Sequence, residues 1–410
     1  MMGNKLTPVI RFKGFKEDWE QRKLGELASF SKGAGYTKGD LKTTGGKPII
    51  LYGRLYTKYE TVIENVDTFV DEKEKSVISA GNEIIVPASG ETSEDISRAS
   101  VVAKPGIILG GDLNIVKPNT EIDASFLALT ISNGRQQKEL SKKAQGKSVV
   151  HLHNSDLKEV NLVFPQKEEQ TEIGHFFRQL DATITLHQEA IQHQQDLKKA
   201  MLQKLFPVNG ARISTVRFAT FKEEWEQRKL GDLSEIVRGA SPRPIQDKKW
   251  FDSNSNVGWL RISDVTEQNG RITYLEQKIS KAGQEKTRVL FEPHLLLSIA
   301  ATVGKPVVNY VNTGVHDGFL IFLNPIFDRE FMFQWLEMFR LKWHKYGQPG
   351  SQVNLNSELV RNQEIMIPPI KEQVIIGGFF KQLDDTIALH QQALDKLKLL
   401  KQSLLQKMFV

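Results

Sequence analysis

Four stretches hold residue types that could do chemistry. Residues 324–327 read NPIF, one residue away from the NPP(Y/F) string of adenine methyltransferases, with Ile326 where the second Pro would stand. No F-x-G-x-G loop for a cofactor accompanies it, and the nearest string, FSKGAG at 30–35, is spaced differently. Asp71 and Lys73 form a D-x-K pair, as in half of a nuclease metal site, but inside the charge run DEKEK with no strand pattern before it. GDLNI (111–115) and HDGFLIF (316–322) lack partners for a nucleophile–His–acid system. Neither a Walker loop nor H-E-x-x-H occurs. Nine His and no Cys, without tight ligand spacing, leave a metal unsupported. These observations predict a chain with no catalytic residues and no metal, which recognises and organises while another subunit does the chemistry. A single-chain enzyme with a cryptic site near Asn324 or Asp71 is a competing expectation.

The remaining chemistry is cationic. Fifty-five basic against 49 acidic residues give +6, a mild excess, so contact with a polyanion must come from local patches. One patch is Arg135, Lys138, Lys142, Lys143 and Lys147; a second is Arg340, Lys342 and Lys345, interleaved with Trp335, Phe339, Trp343 and Tyr346. The plain alternative is a pair of amphipathic helices with solvated basic faces.

The elements that would position these residues come in two copies. RFKGFKEDWEQRKLGEL (11–27) and RFATFKEEWEQRKLGDL (217–233) agree at thirteen of seventeen positions, offset by 206. Residues 164–206 and 367–409 agree at 22 of 43 positions, offset by 203. Between the matched blocks, residues 28–140 and 234–340 share no obvious run. Like connectors around unlike globular parts imply one common frame carrying two related but distinct jobs.

The second matched block is helical by pattern from about Glu168 to Phe206, with Pro165 and Pro207 at its edges. Phe177, Leu180, Ile184, His187, Ile191, Gln194, Lys198, Met201 and Leu205 follow the spacing of a coiled-coil seam. Phe380, Leu383, Ile387, His390, Leu394, Leu397, Lys401, Leu404 and Met408 repeat it. Polar seam residues such as His187, His390, Lys198 and Lys401 can fix register and orientation. Two helices of about 38 residues, roughly 57 Å each, are expected to pack antiparallel with pseudo-twofold symmetry.

The segments between are mixed. Short β-type runs at 47–57, 82–89, 99–111, 295–301, 305–311 and 318–324 lie between Gly, Pro and Asn turns. Each segment closes with a basic, aromatic helix, 124–143 and 329–346. The fold class is therefore α/β (α+β mixed), with domains at 1–163 and 207–366 and long helices at 164–206 and 367–410. With no Cys, no apolar run near 20 residues and no leader-like start, a soluble cytoplasmic protein with no membrane partner is expected.

Taken together, these motifs resemble the specificity subunit of type I restriction–modification enzymes. The resemblance rests on W-E-x-R-K-L-G-[ED]-L (Trp19 to Leu27, Trp225 to Leu233) and P-x-x-x-E-Q-x-x-I-G (Pro165 to Gly174, Pro368 to Gly377). F-F-x-Q-L-D-x-T-I and the closing L-Q-K-[LM]-F add to it, as do VRGASPRPI (237–245), GWLRISDV (258–265) and LLLSIAATVGKPVVN (295–309). It implies two target-recognition domains, each reading one half of an asymmetric bipartite site in double-stranded DNA, with the helices as spacer. It implies two modification subunits, carrying the adenine-N6 methyltransferase and S-adenosylmethionine, and two restriction subunits using ATP and Mg. The chain itself would hold no cofactor.

The expected DNA-binding residues are Lys38, Tyr52, Arg54, Lys142, Lys143 and Lys147 in the first domain. In the second they are Arg238, Arg243, Arg261, Lys305, Gln348 and Ser351. Arg54, Arg243 and Arg261 are favoured for guanine, since Arg presents a two-pronged donor fork. Tyr36 and Tyr52 could pack on a sugar or on an apolar core, and the core is the favoured expectation for both. Phe177, Leu180, Ile184, Phe380, Leu383 and Ile387 are expected at the helix packing, some also touching the methyltransferase subunit. The alternative to DNA recognition is a non-catalytic, two-headed coiled-coil scaffold for protein partners.

Overall fold

The computed structural model describes residues 6–93, 95–144, 146, 149–207, 210–300, 302–346 and 355–410, with backbone alone over 344–346. The chain forms two compact units, residues 1–188 with 391–410, and residues 189–390.

The first unit is built on five strands: β1 (Ala28–Lys32), β2 (Val62–Ile63), β3 (Glu83–Pro87), β4 (Ser100–Val102) and β5 (Leu113–Pro118). Their order is β1-β5-β3-β4-β2, and only β2 and β4 run parallel. Central β3 is buried along its whole length. Its residues alternate between two cores. Ile84 and Val86 pack with Trp19 and Phe126, whereas Ile85 packs with Ile50 and Leu55. Burial on both faces explains why this strand reads as a continuous apolar run. Two helices follow, α1 (Ala124–Ser132) and α2 (Gly134–Lys143). The single helix expected over 124–143 is broken because Asn133 is extended and Gly134 adopts φ +69°, a conformation that favours glycine. The long helix α3 (Lys167–Leu205) starts in this unit.

The second unit repeats the plan without repeating the sequence. Strands β6 (Glu235–Arg238), β7 (Arg271–Ile272), β8 (Leu295–Ser298), β9 (Pro306–Asn309) and β10 (Phe319–Leu323) order as β6-β10-β8-β9-β7. Again only the edge strand β7 pairs in parallel. Central β8 sends Leu295 and Leu297 to one core and Leu296 to the other. Helix α4 (Arg329–Phe339) continues as 3-10 turns over Arg340–Tyr346, and the long helix α5 (Ile370–Met408) leaves the unit.

The matched sequence blocks turn out to be the joint between each unit and its helices. Glu20–Lys23 pairs antiparallel with Asn161–Phe164, and Glu226–Lys229 with Glu364–Ile367. Arg11 donates twice to Glu169 and Arg217 twice to Glu372, every bond 2.7 Å, with both carboxylates 1% exposed or less. Gln170 accepts from the Asp123 amide and donates to the Pro165 carbonyl, both at 2.9 Å. Gln373 does the same with Asp328 (2.9 Å) and Pro368 (2.7 Å). Asp123 and Asp328 in turn cap α1 and α4. Gly174 and Gly377 lie so close that a Cβ would meet the capping carboxylates at 2.9 and 2.6 Å. Every fixed letter of E-Q-x-x-I-G therefore has a packing role.

The helices run antiparallel. In the first unit Lys401 of α5 pairs with Asp181 of α3, and in the second Lys198 of α3 pairs with Asp384 of α5 at 2.5 Å. The seam residues bury as expected: Phe177, Leu180, Phe380 and Leu383 lie in the cores, and Ile184 and Ile387 are half-buried. The closing Phe of each helix seats in an aromatic box. Phe409 lies 5.8 Å from Phe126 and 6.0 Å from Phe177; Phe206 lies 5.2 Å from Phe331 and 6.1 Å from Phe380. Among the described residues no helix is long and apolar enough to cross a membrane.

Candidate nucleic-acid interface

The expected cations divide into two groups by what already surrounds them. Arg54 has a side chain only 8% exposed and donates to Glu60 (2.6 Å), Asp67 (2.7 Å) and the Asn65 carbonyl (2.9 Å). Arg261 binds Asp264 at 2.8 Å and Glu276 at 3.2 Å, and the Asp264 hydrogen bond raises its pKa. Lys305, 13% exposed, lies 3.1 Å from Glu337 and 2.8 Å from Asn269. Two carboxylates neutralise each arginine, and one neutralises the lysine. In this structure these three tie neighbouring loops and helices together. Two of them stood among the residues favoured for guanine, and spacing alone could not show that their forks were occupied.

The second group keeps its charge at the surface. Lys38 is exposed in a 3-10 turn, Tyr52 is 38% exposed, and in the last turn of α2 Lys142 is exposed and Lys143 half-buried. Arg135, Lys138 and Lys142 share the outer face of α2, whose inner face buries Gln136 and Leu140. In the second unit Arg238 and Arg243 are exposed, the latter at 72%. Lys147, Gln348 and Ser351 lie outside the described residues. The aromatic residues beside Arg340 and Lys342 are core: Trp335 and Phe339 stack at 4.7 Å and are at most 7% exposed. Of the two tyrosines expected in the core, Tyr36 is buried and Tyr52 is exposed.

Arg238 and Arg243 stand on a backbone clasp that both units share. In the first unit Gly33 and Ala34 donate to the Leu113 and Leu109 carbonyls at 2.9 and 3.1 Å. In the second, Gly239 and Ala240 donate to Phe319 and Val315 at 2.9 and 3.0 Å. A Cβ would lie 1.9 Å from the Gly110 carbonyl oxygen at Gly33, and 2.1 Å from that of His316 at Gly239, so only glycine fits. Lys32-Gly33-Ala34 and Arg238-Gly239-Ala240 differ by the same offset of 206 as the opening motif. This signal was present in the sequence, but three residues are too short a match to stand out.

Asp317 faces the clasp in the second unit. Its carboxylate accepts from Ser241 (2.8 Å) and Arg243 (2.6 Å), and its carbonyl accepts from Arg238 (2.6 Å). Burial alone would raise this carboxyl; Ser241, Arg243 and Arg238 outweigh it and hold the group below the usual carboxylate range. Exposed Arg288 donates to the Arg238 carbonyl at 2.8 Å. Asp317 and Arg288 were not among the expected site residues.

The catalytic alternatives find no geometry. Asp71 pairs with Lys42 and Lys73 with Asp40, so the D-x-K pair points to two separate ion pairs. Asn324 sits in a turn with φ +49° on an open groove lined by Asp232, Glu235 and Arg361. Among the described residues no group of three His, Asp or Glu could hold a metal.

The family model described as the type I restriction modification DNA specificity domain matches residues 16–194 and again 222–399. The specificity subunit of the type I restriction enzyme MjaVIII from Methanocaldococcus jannaschii is 20% identical over 95% of this chain and 91% of its own length. The crystal structure of the type I restriction–modification S subunit from M. genitalium superposes with TM-score 0.66 over 98% of this chain and 99% of that one, at 15% identity. A chain from a structure on complex assembly and conformational transition of the type I system superposes at TM-score 0.53, covering 94% and 96%, at 16% identity. With one family model matched twice, onto the two units that share a sheet order and a clasp, the protein belongs to the type I restriction–modification DNA specificity family and is a specificity subunit.

Proposed function

We propose that each unit reads one half of an asymmetric bipartite DNA site, and that the antiparallel helices set the gap between the halves. The observation that carries this reading is the pairing of one sheet order and one glycine clasp with unlike side chains. A shared backbone presents the two heads in the same manner, and different side chains read different bases. Exposed cations such as Lys38, Lys142, Arg238 and Arg243, with half-buried Lys143, supply phosphate and base contacts, the first positioning and the second specifying. Half-sites on one face of B-DNA recur at roughly 34–36 Å, within the span of a helix of about 57 Å.

The chain recruits two modification subunits, which bring S-adenosylmethionine, and two restriction subunits, which bring ATP and Mg. Seam residues near Ile184 and Ile387 that remain half-buried are available to the modification subunit. Family membership gives no support to a scaffold that never meets DNA.

Exchange of residues 28–140 for those of another family member tests the reading. Mapping of methylated adenines in cells carrying the exchanged subunit is expected to show one changed half and one retained half. A change in both halves overturns independent reading.

A further inference from the structure

We propose that Asp317 is a positioning residue for sequence readout, aiming Arg243 of the second unit at base edges from beside the shared clasp. The proposal rests on the reading of each unit as a DNA reader and deepens it to named residues.

The shared clasp aligns the two heads residue by residue. The paired hydrogen bonds equate Leu109 with Val315 and Leu113 with Phe319, so Gly111 stands where Asp317 stands. The offset of 206 equates Lys32 with Arg238, Gly35 with Ser241 and Thr37 with Arg243. The first head thus has no carboxylate, no hydroxyl to orient one and no arginine at the matching positions. The two clasp hydrogen bonds are shared, while side chains differ and the main chain diverges past the clasp, where Gly35 adopts φ +52° and Arg243–Pro244 is cis. This is the arrangement expected where a common scaffold carries unlike specificities.

Electrostatics separates this cluster from the other arginines. Three exposed guanidiniums stand in one chain of contacts: Arg243 on the Asp317 carboxylate, Arg238 on the Asp317 carbonyl and Arg288 on the Arg238 carbonyl. A surface ion pair contributes little to stability, and like charges held together oppose folding. The fold therefore gains little from the cluster, in contrast to buried Arg54. These bonds use Nη2 of Arg243 and Nε of Arg238 and Arg288, so each guanidinium has donors beyond those bonds. A guanidinium fixed at one edge by a carboxylate loses rotamer freedom and presents its remaining donors in a set direction. That geometry matches the two acceptors on a guanine edge.

The test uses the full chain assembled with its modification subunits, methylating a pool of DNA with randomised target positions. Asp317→Asn, Arg243→Ala and Arg243→Lys are compared with the unaltered protein. All three are expected to reduce discrimination by about 10-fold or more at one or two positions of one half-site, leaving the other half intact. Arg243→Lys keeps the charge but lacks the fork, so it is expected to lose discrimination while total DNA affinity holds. Arg243 is 72% exposed, so its replacement is not expected to shift the unfolding midpoint, and its readout decides even if Asp317→Asn folds poorly. A base preference unchanged at every position in the Arg243 variants overturns the proposal. So does a uniform loss of affinity for all sequences, which marks a phosphate contact. If the unaltered complex shows no base preference in either half, the two-headed reading itself fails, a distinct result.

Discussion

At the scale of single residues, the most telling pair is Arg217 with Glu372 and its counterpart Arg11 with Glu169. Glu372 is fully buried, and its carboxylate accepts two hydrogen bonds from Arg217. A carboxylate left in the core without its cation is costly, on the order of 3–5 kcal/mol. Arg217→Leu is therefore expected to destabilise by about that much, and Glu372→Gln in the same chain to recover part of it. Urea unfolding of the two variants checks this; an Arg217→Leu cost below about 1 kcal/mol would contradict the assignment. The same pair shows what sequence reading lacked. Arg11 and Glu169 are 158 residues apart, so the repeated R-F and E-Q motifs were visible but their mutual contact was not. Asp317 was invisible for a related reason. Its role depends on which strand end lies opposite Arg238, and no local pattern encodes that pairing.

At the scale of elements, periodicity was a reliable guide. The expected helix from Glu168 to Phe206 is observed as Lys167–Leu205, because the seam and the prolines act along one continuous stretch. The seam lysines expected to fix register pair with Asp181 and Asp384, which repeat within Q-L-D. Asp384 also accepts from Gln334 at 2.8 Å and lies 3.3 Å from Arg271 of the edge strand β7. Asp181 accepts from Thr61, beside the matching edge strand β2. Each aspartate thus ties its own helix both to the opposing helix and to the sheet of its unit. Asp384→Ala is expected to cost more than Lys198→Ala, by about 1–2 kcal/mol, since it strands several donors where the lysine variant strands one acceptor. Equilibrium unfolding of the two variants gives the order, and the reverse order would refute the three-way tie. Strand runs were legible as segments, yet their order in the sheet was not. Short apolar stretches carry no label for their neighbours.

At the scale of the whole molecule, duplication was legible because the connectors kept their sequence. That the dissimilar segments share a sheet order was not legible, since many apolar sequences satisfy one set of buried strand positions. One added heptad in each long helix lengthens it by about 10 Å, or about three base pairs of DNA. Methylome mapping of such a chain is expected to show a wider gap with both halves retained; an unaltered gap would refute the spacer role.

The aromatic box around Phe409 has a consequence for how the protein is made. Residues 189–390 form a contiguous unit, whereas the first unit needs residues 391–410 to fill its core. On the ribosome the later-encoded head can therefore reach its native state before the earlier one, inverting the usual vectorial sequence. A nascent chain stopped short would leave its first head with a vacant core, so truncated translation products would not release a finished N-terminal reader.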